Sequence, residues 1–158
     1  MRTDTAIVDT SLAVKWVARE PDSPLAIALL DEWTRRGILV AAPALLAYEI
    51  ANAIHQKVRA GVILPAAAEG TLATFHAIGI TLHPPADAAL SVRALEIART
   101  VGLGAAYDTQ FLALAEHEDC EYWTADRRFW ETVSARHPHV RWLGAYQPQP
   151  AQPPAPGP

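Results

Sequence analysis

Four acidic residues stand where chemistry is possible. In TAIVDTSLAVKW, residues 5–16, an apolar run ends in Asp9, with two hydroxyls, Thr10 and Ser11, directly behind it. Asp is a preferred helix N-cap because its oxygen accepts the orphan N–H groups of a first turn, so Asp9 reads equally as a cap and as a reactive acid. In PALLAYEIANAIHQKVRAG, residues 43–61, Leu46, Ala47, Ile50, Ala53 and Ile54 share one arc of a helix. Glu49 falls about 40° from Leu45, at the edge of that arc, with Asn52 beside it one turn on. A solvated edge carboxylate is the plain alternative.

In AAYDTQFLALAEHE, residues 105–118, Asp108 lines up with Phe111, Leu112 and Ala115, while Thr109, Gln110, Glu116 and His117 fall toward the other side. Asp108 is then either a first-turn cap, with Tyr107 marking the helix start, or an inward carboxylate. An inward one must be paired, hydrogen-bonded or metal-bound, since burying a lone charge is costly. In CEYWTADRRFW, residues 120–130, Asp126 follows a β-prone run by two positions and reads as a helix cap or as another acid at a strand end. Four carboxylates in one crevice repel strongly unless cations sit among them. Hard oxygen ligands suit Mg²⁺ or Mn²⁺, and the chemistry such a site serves is metal-assisted phosphoryl or phosphodiester transfer.

The elements that must position these acids alternate. Short β-prone runs occur at 6–9, 38–41, 79–83, 121–124 and 140–143, and helical stretches lie between them around 11–18, 24–36, 44–60, 65–77, 87–101, 105–118 and 127–135. Pro43 and Pro65 stand where first-turn prolines are tolerated, and Gly37 and Gly61 where helix C-caps are expected. The alternation predicts an α/β fold, three layers deep (α/β/α), around a mostly parallel central sheet of about five strands. Ligands of such sheets collect at the carboxyl ends of the strands, near the topological switch point. Asp9 and Asp126 both follow such ends.

Composition narrows the class. The chain has 158 residues, 51% hydrophobic and 19% charged, the balance of a globular domain with one core. No apolar run approaches the roughly 20 residues that span a bilayer, so no membrane association is expected. Asp4, Asp9 and Lys15 interrupt any apolar signal segment. One cysteine, Cys120, excludes an intrachain disulfide and cysteine-rich zinc sites, and fits a cytoplasmic location. The net charge of −4 lacks the bulk basic character of many nucleic-acid binders, leaving room for partners held locally or through metal. Residues 147–158, QPQPAQPPAPGP, hold six prolines and no charge and read as an extended, disordered tail.

The ordered set IVDTS, YEIANAI, YDTQFLALA and TADRRF resembles the PIN-domain family, specifically VapC-type toxins of bacterial toxin–antitoxin pairs, over residues 5 to about 144. DTSLAVKW, with Lys15 and Trp16, is similar to the first-helix signature of one VapC-like group. The resemblance implies a PIN-like nuclease domain over residues 1–146. It carries the family's acidic quartet onto Asp9, Glu49, Asp108 and Asp126 as metal ligands and catalytic residues, with auxiliary roles for Thr10 or Ser11, Asn52 and Thr124. It further implies a Mg²⁺- or Mn²⁺-dependent endoribonuclease acting on RNA, leaving 5′-phosphate and 3′-hydroxyl ends. Such a protein is expected to be a homodimer neutralised by a small antitoxin protein. Thr109 departs from the alanine that many relatives carry after the third acid.

Lys15, Arg127 and Arg128 are candidates for phosphate contact beside the acids, against a reading as solvated surface charge. The five tryptophans, Trp16, Trp33, Trp123, Trp130 and Trp142, read as core before they read as base-stacking platforms. His137 and His139 lack the further ligands of a zinc site. Phosphate-binding glycine loops are absent. Two rival functions stand beside the nuclease. A haloacid-dehalogenase-like phosphatase needs a second Asp two residues after the first, where Ser11 stands, and a catalytically silent binding module would not need an intact quartet.

Overall fold

The computed structural model describes residues 1, 4–85 and 88–148. Most of the expected proline-rich tail, from residue 149 on, lies outside the described residues, as does the first residue of the expected helix 87–101. Five strands form one sheet: β1 (Thr5–Val8), β2 (Leu39–Pro43), β3 (Thr81–His83), β4 (Glu121–Thr124) and β5 (Val140–Trp142). Their order is β3-β2-β1-β4-β5, and every pairing is parallel. Parallel neighbours need long crossovers, which helices supply. These are α1 (Thr10–Ala13), α2 (Ser23–Arg36), α3 (Leu45–Arg59), α4 (Ala68–Ala77), α5 (Ala88–Val101), α6 (Asp108–His117) and α7 (Arg127–Val133). The α/β architecture expected from the alternation is present.

Both faces of the sheet are covered. All four residues of β1 are buried, as a central parallel strand requires. Ile7 pairs with Tyr122 in register, and on their face Phe111 of α6 stacks on the Tyr122 ring at 6.3 Å. On the opposite face Trp123 meets Trp33 of α2 edge-on at 5.8 Å, and Trp33 meets Trp16 at 6.4 Å. Trp130 stacks on Trp142 at 5.6 Å. The tryptophans are thus packing residues whose rings are engaged with one another.

Three helix boundaries differ from the sequence expectation. The stretch 11–18 is a four-residue helix that tightens into a 3₁₀ turn over Val14–Trp16, closed by Val17 N–H on Val14 C=O. The stretch 65–77 opens with a 3₁₀ turn at Pro65–Ala67, where the proline fixes the backbone and supplies no N–H. The stretch 105–118 becomes helical only at Asp108. Its polarity also differs: Thr109, expected on the polar side, is fully buried. The cause is that α6 is covered all round, packing on β1, β2 and β4 and against α5. The Thr109 hydroxyl is satisfied locally, donating to Ala106 C=O at 3.1 Å.

The sheet order turns at β1. Strands β2 and β3 extend to one side and β4 and β5 to the other, so the carboxyl ends of β1 and β4 form the topological switch point, where ligands of such sheets bind.

Candidate active site

Asp9 stands at that switch point, just past the end of β1. Its amide donates to Trp123 C=O at 3.4 Å, continuing the β1–β4 register and setting Asp9 beside Thr124. The carboxylate is buried and accepts four hydrogen bonds. Oδ1 takes Leu12 N–H at 3.0 Å and Ser11 Oγ–H at 2.7 Å. Oδ2 takes Thr124 Oγ1–H at 2.5 Å and Tyr122 O–H at 3.1 Å. The two readings of Asp9 are therefore not exclusive: it caps α1 through Leu12 and also centres a polar network. Burial nevertheless pushes its pKa up to about 6, outweighing the donors that pull it down.

The other three acids act on one another by charge, Asp108 on Glu49 and Asp126 on Asp108. Glu49, half-buried at the edge of the apolar face of α3, accepts the Thr10 hydroxyl. Its pKa is raised by burial and by the charge of Asp108. Asp108 is the first residue of α6, its predecessor Tyr107 occupies the cap position, and no side-chain capping bond forms there. The Asp108 side chain reaches solvent, yet the protein around it raises its pKa, and the charge of Asp126 raises it further. Asp126 caps α7, accepting Phe129 N–H on Oδ1 at 3.0 Å, and remains exposed. Of the four acids, Asp9 and Asp126 do cap helices, while Glu49 and Asp108 do not.

The hydroxyl residues hold the carboxylates. Ser11 Oγ accepts Ala125 N–H at 2.9 Å and lies 3.2 Å from Thr124 Oγ1. Thr124 Oγ1 in turn accepts Asp126 N–H at 3.0 Å. One chain of bonds thereby ties the end of β1 to the end of β4. Asn52 is exposed, one turn beyond Glu49. Lys15 pairs with Glu20 at 2.7 Å. Arg127 pairs with Glu131 at 2.7 Å and lies over the Trp142 ring at 5.3 Å. Arg128 is exposed, and its side chain makes no ion pair among the described residues.

Tyr122 is a site residue that sequence reasoning missed. It is fully buried between Phe111 and Phe129, and its only polar atom is spent on Asp9. Burial and the charges of Asp9, Asp108 and Glu49 push its pKa well above the ordinary phenol value. The signal was available: alternation along EYWT puts Tyr122 on the same face as Thr124.

The donor set fits a hard divalent cation in chemical type and in charge. It is all oxygen, anionic, and three of its four members are held above their ordinary pKa, Asp9 by burial and Glu49 and Asp108 by burial and the charge of a neighbouring acid. Among the described residues, however, no three acidic, histidine or cysteine side chains already converge as a ready ligand group.

Comparison with known proteins gives the family and the fold. The PIN domain family matches residues 6–133, and the chain belongs to that family. PIN domains are generally nucleases and usually use divalent metals. The crystal structure of PAE2754 from Pyrobaculum aerophilum is similar over 89% of this chain and 91% of that one, with a TM-score of 0.61 and 21% identity, a likeness of fold. No curated protein matches the sequence.

Proposed function

We propose that this PIN domain is a Mg²⁺- or Mn²⁺-dependent endoribonuclease, the toxin of a VapC-type toxin–antitoxin pair. The observation that carries the reading is the buried Asp9 carboxylate at the β1–β4 switch point, raised to about 6 despite four donors, together with the charge of Asp108 felt by Glu49 and that of Asp126 felt by Asp108. Asp9 and Asp108 are the principal ligands in this reading, and Glu49 and Asp126 complete the set. A divalent ion so held supplies a water of lowered pKa and neutralises phosphate charge. The chain's own residues do the positioning. Ser11, Thr124 and Tyr122 fix the rotamer of Asp9, and Thr10 fixes that of Glu49. Arg128 is free to meet a phosphate, whereas Lys15 is engaged by Glu20. Asn52 is available to substrate at the rim. Ser11 is bonded to Asp9 where the phosphatase alternative needs a second carboxylate, which favours the nuclease.

The expected partners are single-stranded or loop RNA as substrate, a second copy of the chain, and a small antitoxin protein. Incubation of the purified, antitoxin-free protein with RNA should give cleavage in Mg²⁺ or Mn²⁺ that EDTA abolishes. EDTA-resistant cleavage, or phosphatase activity without RNA cleavage, overturns the reading.

A further inference from the structure

Beside the acids lies a feature that the metal chemistry does not use. Between the start of α3, the end of β3 and the start of α6 is a cavity of about 410 Å³, a size ordinary for small-ligand sites. Tyr48 and Tyr107 both line it and are 76% and 65% exposed. Each immediately precedes one of the acids, Glu49 and Asp108, in the chain, and the acids themselves do not line the cavity. Large aromatic side chains are seldom left this bare without a partner surface, and here two of them meet at one place. His83, Ser91 and Gln110 add polar groups to an otherwise apolar lining that contains no lysine or arginine.

That chemistry does not select a phosphate. It selects a flat ring with donors and acceptors on its edge. Aromatic side chains stack on unpaired bases whatever their identity, and amide, imidazole and hydroxyl groups read base edges. An apolar segment of a second copy would use the tyrosines but leave the polar trio unanswered. We propose that the cavity is a nucleobase subsite, in which an unpaired base of single-stranded RNA, next to the phosphate at the acids, lies against Tyr48 and Tyr107. The neighbouring phosphate rests on the nuclease reading above, while the base site rests on the tyrosines.

The test is binding of a short single-stranded RNA carrying 2-aminopurine, followed by its quenching and by anisotropy in EDTA, where no cleavage is read. Tyr48→Leu and Tyr107→Leu keep apolar bulk without an aromatic face, and each should weaken binding by roughly tenfold and restore 2-aminopurine emission. Tyr48→Phe and Tyr107→Phe should behave as wild type. An RNA with an abasic residue in place of the reporter should bind wild type and the leucine variants alike. Leucine variants that bind as wild type overturn the subsite. Leucine variants that change the mass in sedimentation but not RNA affinity also overturn it, and assign the cavity to a protein contact. Tyrosine-dependent binding without cleavage in any divalent metal would refute the nuclease and keep the subsite. Cleavage unaffected by both leucine variants would do the reverse.

Discussion

Asp9 carries a helix cap and three hydroxyl bonds on one carboxylate, so deleting it and neutralising a neighbour should have different signatures. Asp9→Ala strips the cap, worth about 1 kcal/mol, and leaves buried hydroxyls unpartnered at about 1–3 kcal/mol each; part of this is offset by removing a desolvated charge. Asp108→Asn instead keeps size while removing one of the mutually repelling charges. It should leave the protein at least as stable without added metal, abolish RNA cleavage, and shrink the rise in Tm that Mg²⁺ gives wild type, because metal stabilises only the state that binds it. Melts of wild type and both variants with and without Mg²⁺ check this; identical Mg²⁺ shifts in all three would reduce Asp9 to a cap. Tyr122→Phe should cost about 1 kcal/mol in urea unfolding, the value of one hydrogen bond, since the ring packing on Phe111 and Phe129 is kept. An unchanged midpoint would mean the Tyr122–Asp9 bond contributes nothing. At this scale the acids were legible because a carboxylate after an apolar run is conspicuous. Tyr122 was not, because a tyrosine in a β-prone run is ordinary core until its hydroxyl partner is known.

The elements were legible wherever period and punctuation agreed. Gly37 ends α2 in the left-handed conformation at φ 67°, where glycine lacks a Cβ penalty, and the five strands fall within two residues of their expected bounds. What sequence periodicity did not show is how elements are tied across space. Glu20 lies between α1 and α2, receives Lys15 from the 3₁₀ turn at 2.7 Å, and is shared with Lys57 of α3. Burial acts to raise its pKa, but hydrogen bonds and charge from the two lysines outweigh this and lower it. A depressed carboxyl pKa means stability that is present above the ordinary value of 4.5 and lost as pH falls through the lower folded value. Glu20→Gln should therefore destabilise the protein by about 2 kcal/mol at pH 7, a part-exposed pair being worth less than a buried one. The gap from wild type should close below pH 4.5. Urea midpoints at neutral and acid pH measure it, and a gap independent of pH would show that the clamp is not electrostatic. The same clamp engages Lys15, six residues after Asp9 in sequence, with Glu20.

At the scale of the molecule, parallel topology gathers acids that are far apart in the chain. The order β3-β2-β1-β4-β5 puts the ends of β1 and β4 side by side, and α3 and α6 bring Glu49 and Asp108 to the same edge. That much follows from alternation once the switch point is known. Assembly is harder to read from sequence, because a helix with an apolar face must bury it somewhere and periodicity does not say against what. The apolar faces of α2 and α3 mostly turn inward: Ala26, Leu29 and Trp33, and Leu46, Ile50 and Ile54, are buried. The large apolar side chains left bare include Ile27 on α2 and Tyr48 on α3, and also Val92 and Leu95 on α5, 54% and 55% exposed and three residues apart on one helical face. Together with the reading as a VapC-type toxin, they lead us to expect a homodimer using that face. Light scattering of the antitoxin-free protein should then report about twice the 17.1 kDa chain mass. Val92→Glu with Leu95→Glu should return it to the single-chain mass with an unchanged circular dichroism spectrum, since both positions are solvent-facing within one chain. A monomer across micromolar concentrations would overturn the dimer, and a dimer that survives the double substitution would place its interface off α5.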